Sequence, residues 1–116
     1  MNYGYIYRIS CLPNGKVYIG QTTENDPLKR WSGHCAAART TPKKTDYMLT
    51  RAIRKYGPEL FEFTIIETCE NQTLLDIAEI RMIAEFNSRK PNGYNLQEGG
   101  RGGKHHPTIL DLVHAE

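Results

Sequence analysis

The sequence predicts a small α+β domain with a three-stranded antiparallel sheet flanked by three helices, in the order β-β-α-α-β-α. Two stretches of alternating residues, 3–9 and 16–22, surround a strong turn signal at Pro13, Asn14 and Gly15. Two segments with apolar residues at helical spacing follow, and a third alternating stretch then precedes another helical segment. A hairpin and a later strand mixed with helices in this way belong to the α+β class.

The turn leaves two registers open for the predicted hairpin. A two-residue turn at Asn14 and Gly15 pairs Tyr7 with Thr22 and places Tyr7 and Tyr18 on one face of the sheet. A type I turn over Leu12 to Gly15 with a glycine bulge moves the register by one residue and separates the two side chains. The register therefore decides whether the two hydroxyl groups can cooperate.

The first two helices are predicted from their start signals and their apolar spacing. Asp26 and Pro27 indicate the start of the first helix, with Asp26 as the N-cap and Pro27 at the first helical position. Its buried side is predicted to carry Leu28, Trp31, Cys35 and Ala38. The second helix is predicted to begin near Thr45 or Asp46 and to end at Gly57. Its buried side chains are predicted to be Leu49, Ala52, Ile53 and Tyr56.

The third strand is predicted over residues 61–66, where apolar and polar residues alternate. A third helix is predicted over residues 73–86, with Asn71 and Thr73 as capping candidates. It ends before a turn at residues 91–93.

The domain boundaries follow from length and composition. With 116 residues, of which 39% are hydrophobic, the chain fits one domain with a modest core. The compact domain is predicted over residues 1–97, and a glycine-rich linker and C-terminal tail over residues 98–116. His105 and His106 lie in that tail without partner ligands at metal spacing, so they are assigned no site.

Charge and cysteine usage exclude several classes of protein. A net charge of +2 is well below that of a nucleic-acid coat protein, although a local basic face is compatible with it. Cys11, Cys35 and Cys69 are far apart, so a disulfide framework or structural zinc is not expected, and all three are predicted to be small core residues. Neither a signal peptide nor an apolar stretch of about 18 residues is present. We therefore expect a soluble protein, cytoplasmic or associated with nucleic acid, not secreted and without a membrane partner.

Glu79 is the most informative position that the pattern gives. At 100° per residue it falls among the apolar residues of the third helix, which are Leu75, Met82, Ile83 and Phe86. A carboxylate there costs several kcal/mol unless it is paired or holds a metal. Two interpretations stay open: a glutamate at the edge of the core, or a metal ligand or catalytic acid.

Arg30 and His34 are four residues apart, so both point to one flank of the first helix. Arginine can hold a phosphate through two donors, and histidine can donate to a phosphate oxygen or carry a proton. A solvated helix face is the other interpretation. The basic residues of the following loop and second helix pose the same choice between a solvated and a phosphate-tracking surface: Arg39, Lys43, Lys44, Arg51, Arg54 and Lys55.

These positions together resemble the GIY-YIG nuclease family across residues 3–97. The matching blocks, in order, are Tyr5-Ile6-Tyr7, Tyr18-Ile19-Gly20, Arg30-Trp31 with His34, Leu49 with residues 52–57, Glu79, and Gly93-Tyr94-Asn95. Tyr5 departs from the family, whose first motif usually has glycine there, although Gly4 is adjacent.

The resemblance implies a divalent-metal-dependent DNA endonuclease of the homing or phage type. The catalytic residues that it implies are Tyr7, Tyr18, Arg30, His34, Glu79 and Asn95. Glu79 would hold Mg²⁺ or Mn²⁺, and Arg30 would neutralise charge on the phosphate. One of the two tyrosines would activate water and His34 would accept its proton or bind phosphate, while Asn95 would position the phosphate or brace the site.

The implied partner is DNA, with no organic cofactor and with an additional DNA-recognition domain or partner outside this chain. Two other classes stay open: a DNA- or RNA-binding module with weak cleavage, and a structure-specific repair nuclease. An asparagine in a loop, such as Asn95, commonly satisfies backbone groups only.

Overall fold

A computed structural model of the chain describes residues 2–44, 46–96 and 99. The α+β class and the predicted order of strands and helices are confirmed, with one added 3₁₀ turn, Pro58–Leu60. The strands and helices are β1 (Gly4–Cys11), β2 (Val17–Thr22), α1 (Leu28–Ala38), α2 (Met48–Tyr56), β3 (Phe61–Cys69) and α3 (Gln72–Phe86). The predicted tail, apart from Gly99, lies outside the described residues, and the boundary at residue 97 stays a prediction.

The sheet is antiparallel with β1 in the centre, in the order β2-β1-β3. One face packs against α1 and α2 through a core that includes Tyr7, Ile9 and Leu49. The other face packs against α3 through a second core that includes Ile6 and Ile19. Three layers result, and β2 forms an edge between the two cores.

The hairpin adopts neither of the two predicted registers. Tyr7 pairs with Gly20, and a four-residue turn joins the strands, closed by hydrogen bonds from Cys11 N to Lys16 O (2.9 Å) and from Gly15 N to Cys11 O (2.8 Å). Gly15 has a φ of 73°, which favours glycine. Relative to a two-residue turn the register moves by two residues, so each side chain keeps its face.

Helix starts differ from the predictions by one to three residues. The helical residues of α1 begin at Leu28, but Asp26 Oδ1 still accepts a hydrogen bond from Leu28 N at 3.1 Å. A start of α2 at Asp46 is wrong, because the Asp46 carboxylate accepts from Lys43 N (2.9 Å) and from the Arg54 guanidinium (3.1 Å). Thr45, the other predicted start, lies outside the described residues.

The predicted capping and burial hold at most positions. Asn71 caps α3 by accepting from Leu74 N at 2.8 Å, whereas Thr73 lies inside the helix. Leu28 is wrong as a buried residue, because it lies in the first turn of α1 and is 55% exposed. Tyr56 is only partly buried. The three cysteines, Cys11, Cys35 and Cys69, are buried and free, as expected.

Candidate active site

Tyr7 and Tyr18 lie side by side on the face of the sheet that α1 covers. Their ring centroids are 6.2 Å apart, and Tyr7 is 1% exposed. The space for this pair comes from Gly20, the cross-strand partner of Tyr7. A Cβ at that position would overlap the phenol end of Tyr7 and would lie 2.9 Å from Tyr18 Cε2. The two phenols can therefore cooperate, because the hairpin register keeps them on one face.

His34 reaches the tyrosine pair from α1. The Tyr7 hydroxyl lies 3.0 Å from His34 Nε2, and the His34 ring is 5.5 Å from that of Tyr18. Burial, together with the nearby positive charge of Arg30, lowers the pKa of His34 to about 4. The imidazole is therefore neutral at pH 7, and its Nε2 can accept the hydrogen bond from Tyr7 when the ring proton is on Nδ1.

Arg30 lies on the same flank of α1 and acts on both phenols. Burial raises the pKa of Tyr7 above its ordinary value, and the Arg30 guanidinium opposes that rise. Burial also raises the pKa of Tyr18, with further contributions from Tyr7 and Glu79, and Arg30 again opposes them. Both phenols are consequently protonated at neutral pH in the protein alone. Either can give up a proton only to a partner that receives it, and Tyr7 has such a partner in His34.

Glu79 approaches the group from α3, on the opposite side of the sheet. It is 8% exposed, and Gln21 Nε2 donates to its Oε1 at 3.0 Å. Burial is the main cause of the raised pKa values of Tyr7 and Tyr18, and the negative charge of Glu79 adds to both. The candidate site therefore has phenols, imidazole and guanidinium on the face of the sheet that α1 covers, and a carboxylate on the α3 side that contacts Gln21 of β2.

Asn95 does not join this group through its side chain. Its amide pairs with the backbone of Ile19, accepting from Ile19 N at 2.9 Å and donating to Ile19 O at 2.8 Å. Ser88 Oγ also donates to the Asn95 amide oxygen, at 2.6 Å. Of the two roles expected for Asn95, this geometry supports bracing: the asparagine closes the outer edge of β2, one residue from Tyr18.

The donor set near Glu79 fits a divalent ion that retains water. Among residues 2–44, 46–96 and 99, no group of three or more His, Cys, Asp or Glu side chains forms a complete metal cage. Mg²⁺ is commonly bound through one or two carboxylates with several waters and substrate phosphate oxygens completing the shell. A largely buried Glu79 carboxylate next to a sheet edge suits that mode of binding, whereas a dehydrated zinc-type site does not fit these residues.

Three residues near the site were not singled out by the sequence analysis. Gln21 lies on β2 and bonds to Glu79, and Asp76 is 3% exposed one turn before Glu79 on α3. Asp76 lies next to Leu75 on the apolar side of the helix, so periodicity could have identified it as it did Glu79. Tyr47, the N-cap of α2, is 67% exposed and raises the pKa of Tyr18 slightly.

The basic residues of α2 are partly structural. Arg54 donates to Ala38 O at 3.1 Å and pairs with Asp46, and Arg51 donates to Lys44 O at 3.0 Å. Both guanidinium groups therefore hold the loop between α1 and α2. For Arg54 this argues against a free phosphate-tracking role, and the other basic residues keep that role as a prediction.

Fold and site define a nuclease-type catalytic domain, and the comparisons with known proteins specify which type. The model of the GIY-YIG catalytic domain matches residues 3–95. The chain belongs to the GIY-YIG endonuclease family.

Related proteins agree with this assignment. The chain is 33% identical over 110 residues to a protein named putative endonuclease segB of Enterobacteria phage T4, covering 94% of this chain and 44% of that protein. It therefore spans less than half the length of this curated relative.

Solved structures of the catalytic domain of the homing endonuclease I-TevI share the fold. A mutant of that domain superposes with a TM-score of 0.68 at 33% identity, covering 83% of this chain and 94% of the other. A second structure of the domain gives a TM-score of 0.66 at 33% identity, covering 80% and 97%. Of the described part of the chain, no helix is both long and apolar enough to cross a membrane.

Proposed function

We propose that this domain hydrolyses phosphodiester bonds of DNA with the help of Mg²⁺ or Mn²⁺ held by Glu79. The observation that carries the proposal is the surroundings of the Tyr7 hydroxyl, which hydrogen-bonds to His34 and is under the electrostatic influence of Arg30 and Glu79. Phosphodiester cleavage needs an activated water, a cation for the charge on phosphorus and stabilisation of the leaving oxygen. This set of side chains supplies the first two and the carboxylate that would hold a metal for the third.

Tyr7 is the better candidate for activating water. Its hydroxyl bonds to His34 Nε2 at 3.0 Å, and His34 is neutral at pH 7, so a proton can pass from Tyr7 to His34 as the phenol oxygen takes one from water. Arg30 depresses the pKa of His34 in the free protein. A phosphate on Arg30 offsets that positive charge, so proton uptake by His34 becomes easier once substrate is bound.

Tyr18 and Arg30 would orient the attacking water and stabilise the charge on the phosphate. Tyr18, beside Tyr7, would hold the attacking water in line with phosphorus. Arg30 would bind the non-bridging oxygens and neutralise the charge that develops there. A bound Mg²⁺ or Mn²⁺ supplies Lewis-acid stabilisation of the leaving 3′ oxygen.

We infer that the domain is of the homing or phage type and acts with a DNA-recognition region outside this chain. The similarity to a phage protein of which this chain spans 44% supports both points. Contacts to phosphate position DNA but do not read its sequence, so the domain by itself should be weakly specific.

The test is nicking of a supercoiled plasmid with Mg²⁺ or Mn²⁺, with and without EDTA, by the wild-type chain and by Glu79→Ala. We expect the wild type to nick in a metal-dependent manner and Glu79→Ala to lose cleavage, because the sole carboxylate proposed for the ion is gone. Mobility-shift binding of DNA should change little, because phosphate contacts come mainly from basic residues.

Glu67→Ala is the matched control. Glu67 is a β3 glutamate that pairs with Arg81 on the surface, so its loss should leave nicking intact. Full cleavage by metal-saturated Glu79→Ala would refute the metal-ligand role. Running duplex, flapped and branched DNA in parallel distinguishes a homing-type enzyme from a structure-specific repair nuclease.

A further inference from the structure

The side chain of Gln21 bridges two carboxylates of α3. Its Nε2 donates to Glu79 Oε1 at 3.0 Å and to Asp76 Oδ1 at 2.9 Å. Gln21 lies on β2, two residues after Ile19, whose backbone Asn95 pins. The amide nitrogen is therefore presented to Glu79 from a strand that is itself held in place.

Gln72 fixes which way round the Gln21 amide lies. Gln72 Nε2 donates to Gln21 Oε1 at 2.9 Å and to Asp76 Oδ1 at 2.8 Å. The Tyr3 hydroxyl in turn donates to Gln72 Oε1 at 2.9 Å. A reversed Gln21 amide would point its oxygen at two carboxylates and its nitrogen at the Gln72 donor, and would lose the three hydrogen bonds that Gln21 makes to Glu79, Asp76 and Gln72. Only one orientation of Gln21 is compatible with the chain of donors.

Burial of the Asp76 carboxylate has a free-energy cost for folding that its packing does not explain. It is 3% exposed in the core under α3, and within the described ranges no Lys or Arg forms an ion pair with it. Two neutral amides satisfy its Oδ1, yet a buried carboxylate next to a second one at the i+3 position is unfavourable for folding. Its geometric effect is to anchor both glutamine amides.

We propose that Gln21 is a positioning residue for Glu79, held in its donating orientation by Gln72 and Asp76, and that it sets the affinity of the site for the divalent ion. This inference rests on the proposed function. When one carboxylate is the only protein ligand of an ion, no other protein ligand helps to hold that carboxylate in place. Its orientation before the ion binds therefore affects the affinity for the ion. Hydrogen-bonding partners behind a metal ligand are commonly responsible for about 10- to 100-fold in affinity or activity.

The substitution Gln21→Met tests the inference, because methionine has similar length but has no amide donor. Mn²⁺ binding to the full chain without DNA is followed by the electron paramagnetic resonance signal of free Mn²⁺, and plasmid nicking gives kcat and KM. We expect the dissociation constant for Mn²⁺ to rise about tenfold. At limiting Mn²⁺, kcat should fall with the KM for DNA unchanged, and excess Mn²⁺ should restore kcat.

Two further variants complete the design. Gln72→Met removes the donor that orients the Gln21 amide but leaves the hydrogen bond from Gln21 to Glu79 possible, so it should weaken Mn²⁺ binding by a smaller factor. It replaces Gln21→Met as the test if that variant fails to fold. Thr64→Met, which places methionine at an exposed position of β3, should bind Mn²⁺ like the wild type.

The possible outcomes distinguish failure of the Gln21 positioning role from failure of the proposed nuclease function. If Gln21→Met has a native circular dichroism spectrum and binds Mn²⁺ with wild-type affinity, the positioning role is overturned while metal-dependent nicking stands. If Gln21→Met does not fold, wild-type affinity in Gln72→Met overturns the role in the same way. A wild-type chain that neither binds Mn²⁺ nor nicks DNA overturns the proposed function and the inference together.

Discussion

Gly20 shows how one residue without a side chain arranges the others. It faces Tyr7 across the hairpin, and any Cβ there would occupy the position of the Tyr7 phenol. The third position of the Tyr18-Ile19-Gly20 block is therefore a space requirement of the tyrosine pair. Gly4 is also crowded, since its Cβ would lie 2.7 Å from a flexible Leu75 methyl group and 3.0 Å from the backbone oxygen of Thr22. Tyr5, the departure from the family motif, lies in regular strand pairing with Thr22 and Thr68.

Substitution Gly20→Ala should displace the Tyr7 hydroxyl from His34 and lower kcat about tenfold or more, because the proton path through the 3.0 Å contact is broken. Steady-state nicking by the variant and by Gly33→Ala tests this. Gly33 has open space around its Cβ and lies in α1, where alanine is favoured, so that control should retain activity. Equal kcat values in both variants would show that the tyrosine pair tolerates the added methyl group.

At the scale of elements, the edge strand β2 is held in place by the loop that contains Tyr94 and Asn95, which makes hydrogen bonds to it as a neighbouring strand would. Tyr94 N donates to Val17 O at 2.9 Å, and the Asn95 amide pairs with Ile19 as a backbone peptide would. An unpaired edge of this kind would be free to shift or to pair with another chain. Tyr18 and Gln21 both lie on this strand, so the loop determines where the Tyr18 phenol and the hydrogen-bond donor to Glu79 lie.

Asn95→Ala should therefore lower the free energy of unfolding by roughly 2–4 kcal/mol, because it leaves Ile19 N and Ile19 O without partners in a buried place. Urea denaturation followed by circular dichroism measures the change. Asn92→Ala is the matched control, since Asn92 is exposed and its side chain donates a long 3.3 Å bond to Asn87, and the substitution should cost less than about 1 kcal/mol. Similar losses in both variants would contradict the bracing role.

The order of the elements could be predicted from the sequence, and Arg30, His34 and Glu79 could be named as candidate site residues, because those signals are local. Arg30 and His34 share a flank by helical spacing, and Glu79 stands out on an apolar stripe. Partners brought together by folding were missed, as the bond from Gln21 to Glu79 shows. Both predicted hairpin registers were wrong: the turn spans residues 12–15, as in the glycine-bulge alternative, but it moves the pairing by two residues and not by one.

Across the whole molecule, burial of the site couples catalytic chemistry to stability. The pKa of His34 is about 4 in the folded protein, against about 6.5 in an unfolded chain. Between about pH 6.5 and pH 4, His34 binds a proton in the unfolded chain but not in the folded protein. Lowering the pH through this range therefore lowers the free energy of unfolding, and the decrease levels off below about pH 4.

The wild type should lose up to roughly 3 kcal/mol more than His34→Gln between pH 7 and pH 4. Urea denaturation of both proteins at several pH values measures the difference, and comparison with the variant removes the contribution of the carboxylates. Parallel pH dependences for the two proteins would show that His34 takes up its proton as readily in the folded state as in the unfolded one.

The position of the site on a single sheet edge has a consequence for the product. Under the proposed function, the phenol–imidazole pair and the Glu79 carboxylate would act on one backbone of a double helix at a time, while the opposite backbone runs in the reverse direction on the far side. A complete break of both backbones would then require a second encounter after rotation about the helix dyad, or a second copy of the chain approaching from the other side.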